Sequence, residues 1–218
     1  MSFSFYYLRA WELILIKSSA IINHVIPLRD AGQASLAYFF FDFRDDEKQI
    51  IRNFLTSLLT QLATYSELCS DIAFRLYSKH GNGARKATMD DMIKCLKKML
   101  KVIAQQPVYI IIDALDECPN LHGMPTPRET VLDLVKDLIR MQIPHLHMCI
   151  TSRLEIDVMD VLGPLAYNTV SLHEESGQRN DIFDYTNKAV YTNQKMRKWR
   201  DEEKELVVAE LSNKADGM

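Results

Sequence analysis

Three carboxylates, Asp113, Asp116 and Glu117, crowd into five positions directly after the apolar run Tyr-Ile-Ile-Ile at residues 109–112. Like charges repel, so such a cluster at the end of a strand-like segment asks for a compensating cation. An acid closing an apolar strand suits Mg²⁺, which prefers oxygen ligands in octahedral array and keeps much of its water. A second acid nearby can orient a water for attack on a phosphate. Arg153 closes another apolar run, at residues 146–152, from which it could touch a phosphate or pair with Asp113 or Glu155. The bland reading is a turn, since Asp and Asn commonly bond their own backbone in loops. Three acids in five residues exceed what a turn needs.

These residues require a scaffold that brings strand ends together. Residues 35–43 (SLAYFFFDF) and 107–113 are continuous apolar runs, as in strands buried on both faces. Residues 146–152 and 168–172 read as two more strands. Between them lie amphipathic segments. Ile50, Ile51, Phe54, Leu55, Leu58, Leu59 and Leu62 form one helical stripe. Met92, Ile93, Leu96, Met99, Leu100 and Ile103 form another after Thr88. Thr126-Pro127-Arg128-Glu129 spells a capping box with Pro at the first helical position, ahead of Val131, Leu134, Val135, Leu138 and Ile139. Residues 80–88 form a polar, Gly-containing loop, and the chain turns helical and highly charged from Gln178 onward. Strands alternating with helices predict an α/β fold with a parallel sheet flanked by helices, whose ligands gather beyond the carboxyl ends of the strands.

Composition sets further limits. The chain has 218 residues, 47% apolar and 25% charged, with a net charge of −3. That length suits one α/β domain with an appendage. No basic field attracts nucleic acid or anionic membrane. Four scattered cysteines without a CxxC pair indicate reduced core thiols. His145 and His147 would share a strand face near the surface. Residues 1–26 are apolar but carry Arg9, Glu12 and Lys17, so no uncharged run reaches the roughly 18 residues a membrane span requires. A cytoplasmic protein without membrane association is the expectation.

The pattern Asp113-Ala114-Leu115-Asp116-Glu117 after an apolar strand resembles the NACHT domain, the nucleotide-binding module of the STAND class of P-loop NTPases. It is most similar to the nephrocystin-like N-terminal form found in large fungal signalling proteins. The resemblance continues through residues 36–49, 147–157, 170–186 and 210–218, and covers the chain from about residue 18 onward. It implies a P-loop NTPase-like, three-layer α/β/α core at 18–176 and the truncated start of a helical domain at 177–218. It also implies Mg²⁺ and ATP as cofactors. Asp113 would be the Walker B metal ligand, Asp116 and Glu117 the catalytic acids, and Arg153 the nucleotide sensor. Implied partners are further copies of the chain or related NACHT proteins, with no nucleic acid.

One element of the pattern is missing. A P-loop needs G-x-x-x-x-G-K-[ST], whose glycines let backbone N–H groups turn inward around phosphates. No glycine precedes Gly32 here. Residues 18–25 are similar to the helix that follows such a loop, and Lys17-Ser18 match its last two motif positions. Residues 1–17 form an atypical segment in place of the loop, apolar enough to be strand or helix. The expectation is therefore a degenerate or fragmentary NACHT module with impaired ATP binding. The alternative is a non-catalytic interaction module that docks on a full-length relative. A metal-dependent hydrolase that uses the acids without a P-loop ranks last.

Overall fold

The computed structural model describes residues 4–9, 14–120, 125–166, 168–171, 176–193 and 196–214. In chain order the first elements are β1 (Ser4–Arg9), α1 (Ile14–Asp30), β2 (Ser35–Phe40), α2 (Ile51–Thr64), α3 (Glu67–Lys79), α4 (Met89–Val102) and β3 (Val108–Asp113). There follow α5 (Pro127–Arg140), β4 (Leu146–Ser152), α6 (Ile156–Leu162), β5 (Asn168–Ser171), α7 (Ser176–Thr192) and α8 (Asp201–Lys214). The expected α/β class is the one observed: a sheet in the order β2-β3-β4-β1-β5, whose β2–β3, β3–β4 and β4–β1 pairs are all parallel.

The continuous apolar strands bury both faces, and alternation decides which helix each residue meets. Val108, Ile110 and Ile112 of β3, with Leu146, Met148 and Ile150 of β4, join the main core with α2, α4 and α5. Ile111 and Cys149 point the other way, onto Ile22 and Val25 of α1. The same period carries Asp113 and Thr151 to the α1 face, because each lies two residues beyond a member of that set.

Sequence left the N-terminal apolar segment as strand or helix. It is both: β1 sits between β4 and β5, and α1 follows after four residues. The strand expected at 35–43 ends at Phe40, and a 3₁₀ turn at Asp46–Gln49 precedes α2. The last residue of the expected 168–172 strand lies outside the described residues. Helix α3 is an addition to the expected set. Its N-cap Ser66 accepts from the Cys69 N–H, while Cys69 is its one fully buried residue, so its apolar stripe is faint. The capping box forms as the sequence spells it: Thr126 accepts from the Glu129 N–H and Glu129 accepts from the Thr126 N–H.

The chain divides into two compact units, Met1–Val170 and Ser171–Met218. In the second, α7 packs on α8, with Val190 and Val208 buried and Lys204 5.2 Å from the centre of the Tyr191 ring. Among the described residues no helix is long and apolar enough to cross a membrane. All four cysteines are buried and unpaired.

Candidate functional site

Asp113 ends β3 and is 1% exposed. Its Oδ1 accepts two hydrogen bonds, from the Ser18 hydroxyl of α1 at 2.5 Å and from the Thr151 hydroxyl of β4 at 2.7 Å. Thr151 Oγ1 in turn accepts from the Ala114 N–H at 2.9 Å. The other carboxylate oxygen, Oδ2, is buried without a partner among the described residues. Burial pushes the Asp113 carboxyl above its usual range, the two hydroxyl bonds pull it down, and the nearby Asp116 charge adds to the rise.

The chain then turns sharply. Ala114 adopts the left-handed conformation (φ 53°, ψ 49°) that disfavours residues with a Cβ. A short 3₁₀ turn at Leu115–Glu117 follows, and Asp116 and Glu117 take partners other than those of Asp113. Asp116 meets Arg153 twice: Oδ1 accepts from its backbone N–H at 3.0 Å, and Oδ2 lies 3.0 Å from its Nε. Glu117 lies 3.8 Å from Arg153 Nη2 and accepts from the Phe43 N–H, in the loop after β2, at 3.0 Å. The acids thus divide into two sets. Asp113 is joined to Ser18, and Asp116 and Glu117 are joined to Arg153. Among the described residues no three metal-ligating side chains converge.

In the sequence Arg128 stands out only as part of the capping box. In the fold it is 7% exposed, and it reaches back under the acidic loop. Its Nη2 donates to the Asp116 carbonyl at 2.5 Å and its Nε to the Cys118 carbonyl at 3.0 Å. Nη1 lies 3.3 Å from Asp157 and 3.8 Å from Glu155. A buried Arg that satisfies loop carbonyls fixes where Asp116 and Glu117 stand. Its signal in the sequence was an Arg in the first turn of a helix, where the dipole favours acids instead. Arg128, Arg153, Asp116, Glu117, Gln49 and Phe43 line a cleft of about 430 Å³ beyond the strand ends.

Whether a magnesium–nucleotide pair fits divides along the same line. The bare Oδ2 of Asp113, beside a serine hydroxyl, fits a hydrated divalent cation. The phosphate side does not fit. Between β1 and α1 lie only Ala10, Trp11, Glu12 and Leu13, all carrying a Cβ, where an inward-turned nest of N–H groups needs glycine. Lys17 falls within α1, and its side chain lies outside the described residues.

Comparison with known proteins gives a family and a set of solved structures. A family model described as "Nephrocystin 3, N-terminal" matches residues 16–153, from the first turn of α1 through Arg153. None of the curated proteins matches. A solved structure of Drosophila ORC bound to AT-rich DNA and Cdc6 is similar at 10% identity with a TM-score of 0.45, over 87% of this chain. This chain spans 60% of the length of that one.

Proposed function

The chain belongs to the nephrocystin 3 N-terminal family, and from that premise we propose a NACHT-type nucleotide-binding module of a STAND signalling NTPase in which the cation side persists and ATP binding is impaired. One observation carries the reading: a helix-borne hydroxyl, Ser18, bonds the strand-end carboxylate of Asp113 across 95 residues of sequence. A hydroxyl and a carboxylate so joined form the protein's half of a hydrated Mg²⁺ site. Bound there, the cation would neutralise phosphate charge. Asp113 and Ser18 would hold its water shell, Asp116 and Glu117 would orient a water, and Arg153 would sense a phosphate. In the present arrangement Arg153 engages both acids, and each carboxylate keeps acceptor sites with which to hold a water. The reading also carries a cytoplasmic setting and association with like modules.

Titration with a fluorescent ATP analogue and Mg²⁺ tests this. Binding in the millimolar range, weaker than the micromolar values usual for intact P-loops, is expected, and Asp113→Asn, Ser18→Ala or Lys17→Ala should weaken it about tenfold. Binding indifferent to all three changes sinks the reading. The glycine-free connection between β1 and α1 favours a second one, a non-catalytic interaction module on the same scaffold. Absence of any analogue binding would select it.

A further inference from the structure

Away from the strand ends, α3 and α4 run side by side, Cys69 near Met99 and Lys79 bonded to Asp91. Where the start of α3 faces the end of α4, the pair leaves an open groove of about 400 Å³. Leu68, Ile72 and Val102 form its apolar lining, and Leu68 is 58% exposed. Arg75, Lys98 and Lys101 stand along it with one acid, Asp71. Position explains part of this charge, since cations are favoured in the last turn of a helix such as α4.

Position does not explain the contrast within α4. Lys94 pairs with Asp90 at 2.5 Å and Lys97 with Asp137 at 2.7 Å. Lys98 and Lys101 have no acidic partner within 4 Å among the described residues, and neither has Arg75. Three cations against one acid, on a chain of net charge −3, beside a side chain as apolar and exposed as Leu68, form a complementary surface for one chemistry. Two parallel ridges with a trough between them suit a helix better than an extended strand, because neither ridge offers unpaired backbone groups.

We propose that the α3–α4 groove docks an acidic amphipathic helix of a partner protein. A leucine or similar residue of the partner enters between Leu68, Ile72 and Val102, and its flanking carboxylates pair with Arg75, Lys98 and Lys101. This surface lies outside the strand-end cleft and works with or without nucleotide.

The probe is a fluorescein-labelled helical peptide of Glu, Ala and Leu, with leucines at i, i+3 and i+7 and glutamates flanking them. Anisotropy should report binding in the range of about 100 μM at low salt, with marked weakening at high salt. The Lys98→Glu/Lys101→Glu pair and Leu68→Ser should each weaken it about tenfold, while Lys136→Glu, at a half-buried α5 residue that does not line the groove, leaves it unchanged. Circular dichroism of each variant checks that the helices persist. Equal loss with Lys136→Glu, equal binding of a lysine-for-glutamate peptide, or no binding overturns the proposal. So does capture by phosphatidylserine vesicles that the Lys98→Glu/Lys101→Glu pair abolishes while peptide binding stays absent.

Discussion

A carboxylate with one oxygen doubly bonded and the other bare sits in tension with its surroundings. Burial makes Asp113 bind its proton more tightly in the folded chain than in the unfolded one. Such a group stabilises the fold when protonated and loses that contribution as pH rises through its folded value. The chain should therefore gain thermal stability as pH falls from 7 toward the usual carboxylate range. Asp91, held down to about 2 chiefly by its bond to Lys79, takes stability away only at lower pH still. Asp113→Asn keeps an acceptor for Ser18 and Thr151 and removes the charge but buries two unpaired amide N–H groups at the place of Oδ2, so at pH 7 the two effects offset and stability should stay within about 1 kcal/mol of wild type. Melting curves of both proteins between pH 5 and pH 7 check this: the acid-side gain should vanish in the variant. Because burial lowers His147 and so removes stability over the same range in both proteins, it is the difference between them that reports Asp113, and identical profiles would mean that Oδ2 is already compensated.

The acidic loop depends on an element remote in sequence. Helix α5 begins with its capping box, and that start holds Arg128 beneath the carbonyls of Asp116 and Cys118. Arg128→Ala would bury those carbonyls unpaired beside Asp157, at a cost of about 3 kcal/mol in chemical denaturation. Arg128→Lys should recover little, because one ammonium cannot reproduce a fork that spans two carbonyls and a carboxylate. Full recovery by lysine would show that charge alone matters. The start of α5 was legible in the sequence because capping is local chemistry. What Arg128 does was not, since its partners belong to another loop. Helix α3 escaped notice for a different reason: Cys69, Ile72, Ala73 and Leu76 make too thin a stripe to stand out. The strands were plain, as they are buried on both faces. Asp113, Asp116 and Glu117 stood out in the sequence, but their separation did not, because it turns on the backbone of Ala114.

Across the larger unit, the thiols offer a single readout. Burial pushes Cys95 to about 11 and Cys118 and Cys149 to about 12, and it raises Cys69 as well. Thiolate is the reactive form, so none of the four should react with a disulfide reagent at pH 8 on the timescale of a free cysteine. Modification should follow opening of the sheet, with Cys118, Cys149, Cys95 and Cys69 appearing together. Early release of Cys118 alone would mark independent opening of the acidic loop.

The place of β1 bears on how the molecule is made. β1 precedes β2 and β3 along the chain yet pairs with β4, which follows both. Until β4 emerges, the nascent Phe-Tyr-Tyr segment has no neighbour to zip against, whereas β2, β3 and β4 can associate in the order they are made. Pairing so distant in sequence is slow to form, and an unpaired apolar strand is open to wrong partners in the meantime. A holding chaperone would find its client at β1, and the pace of translation through β3 and α5 would set how long it must wait.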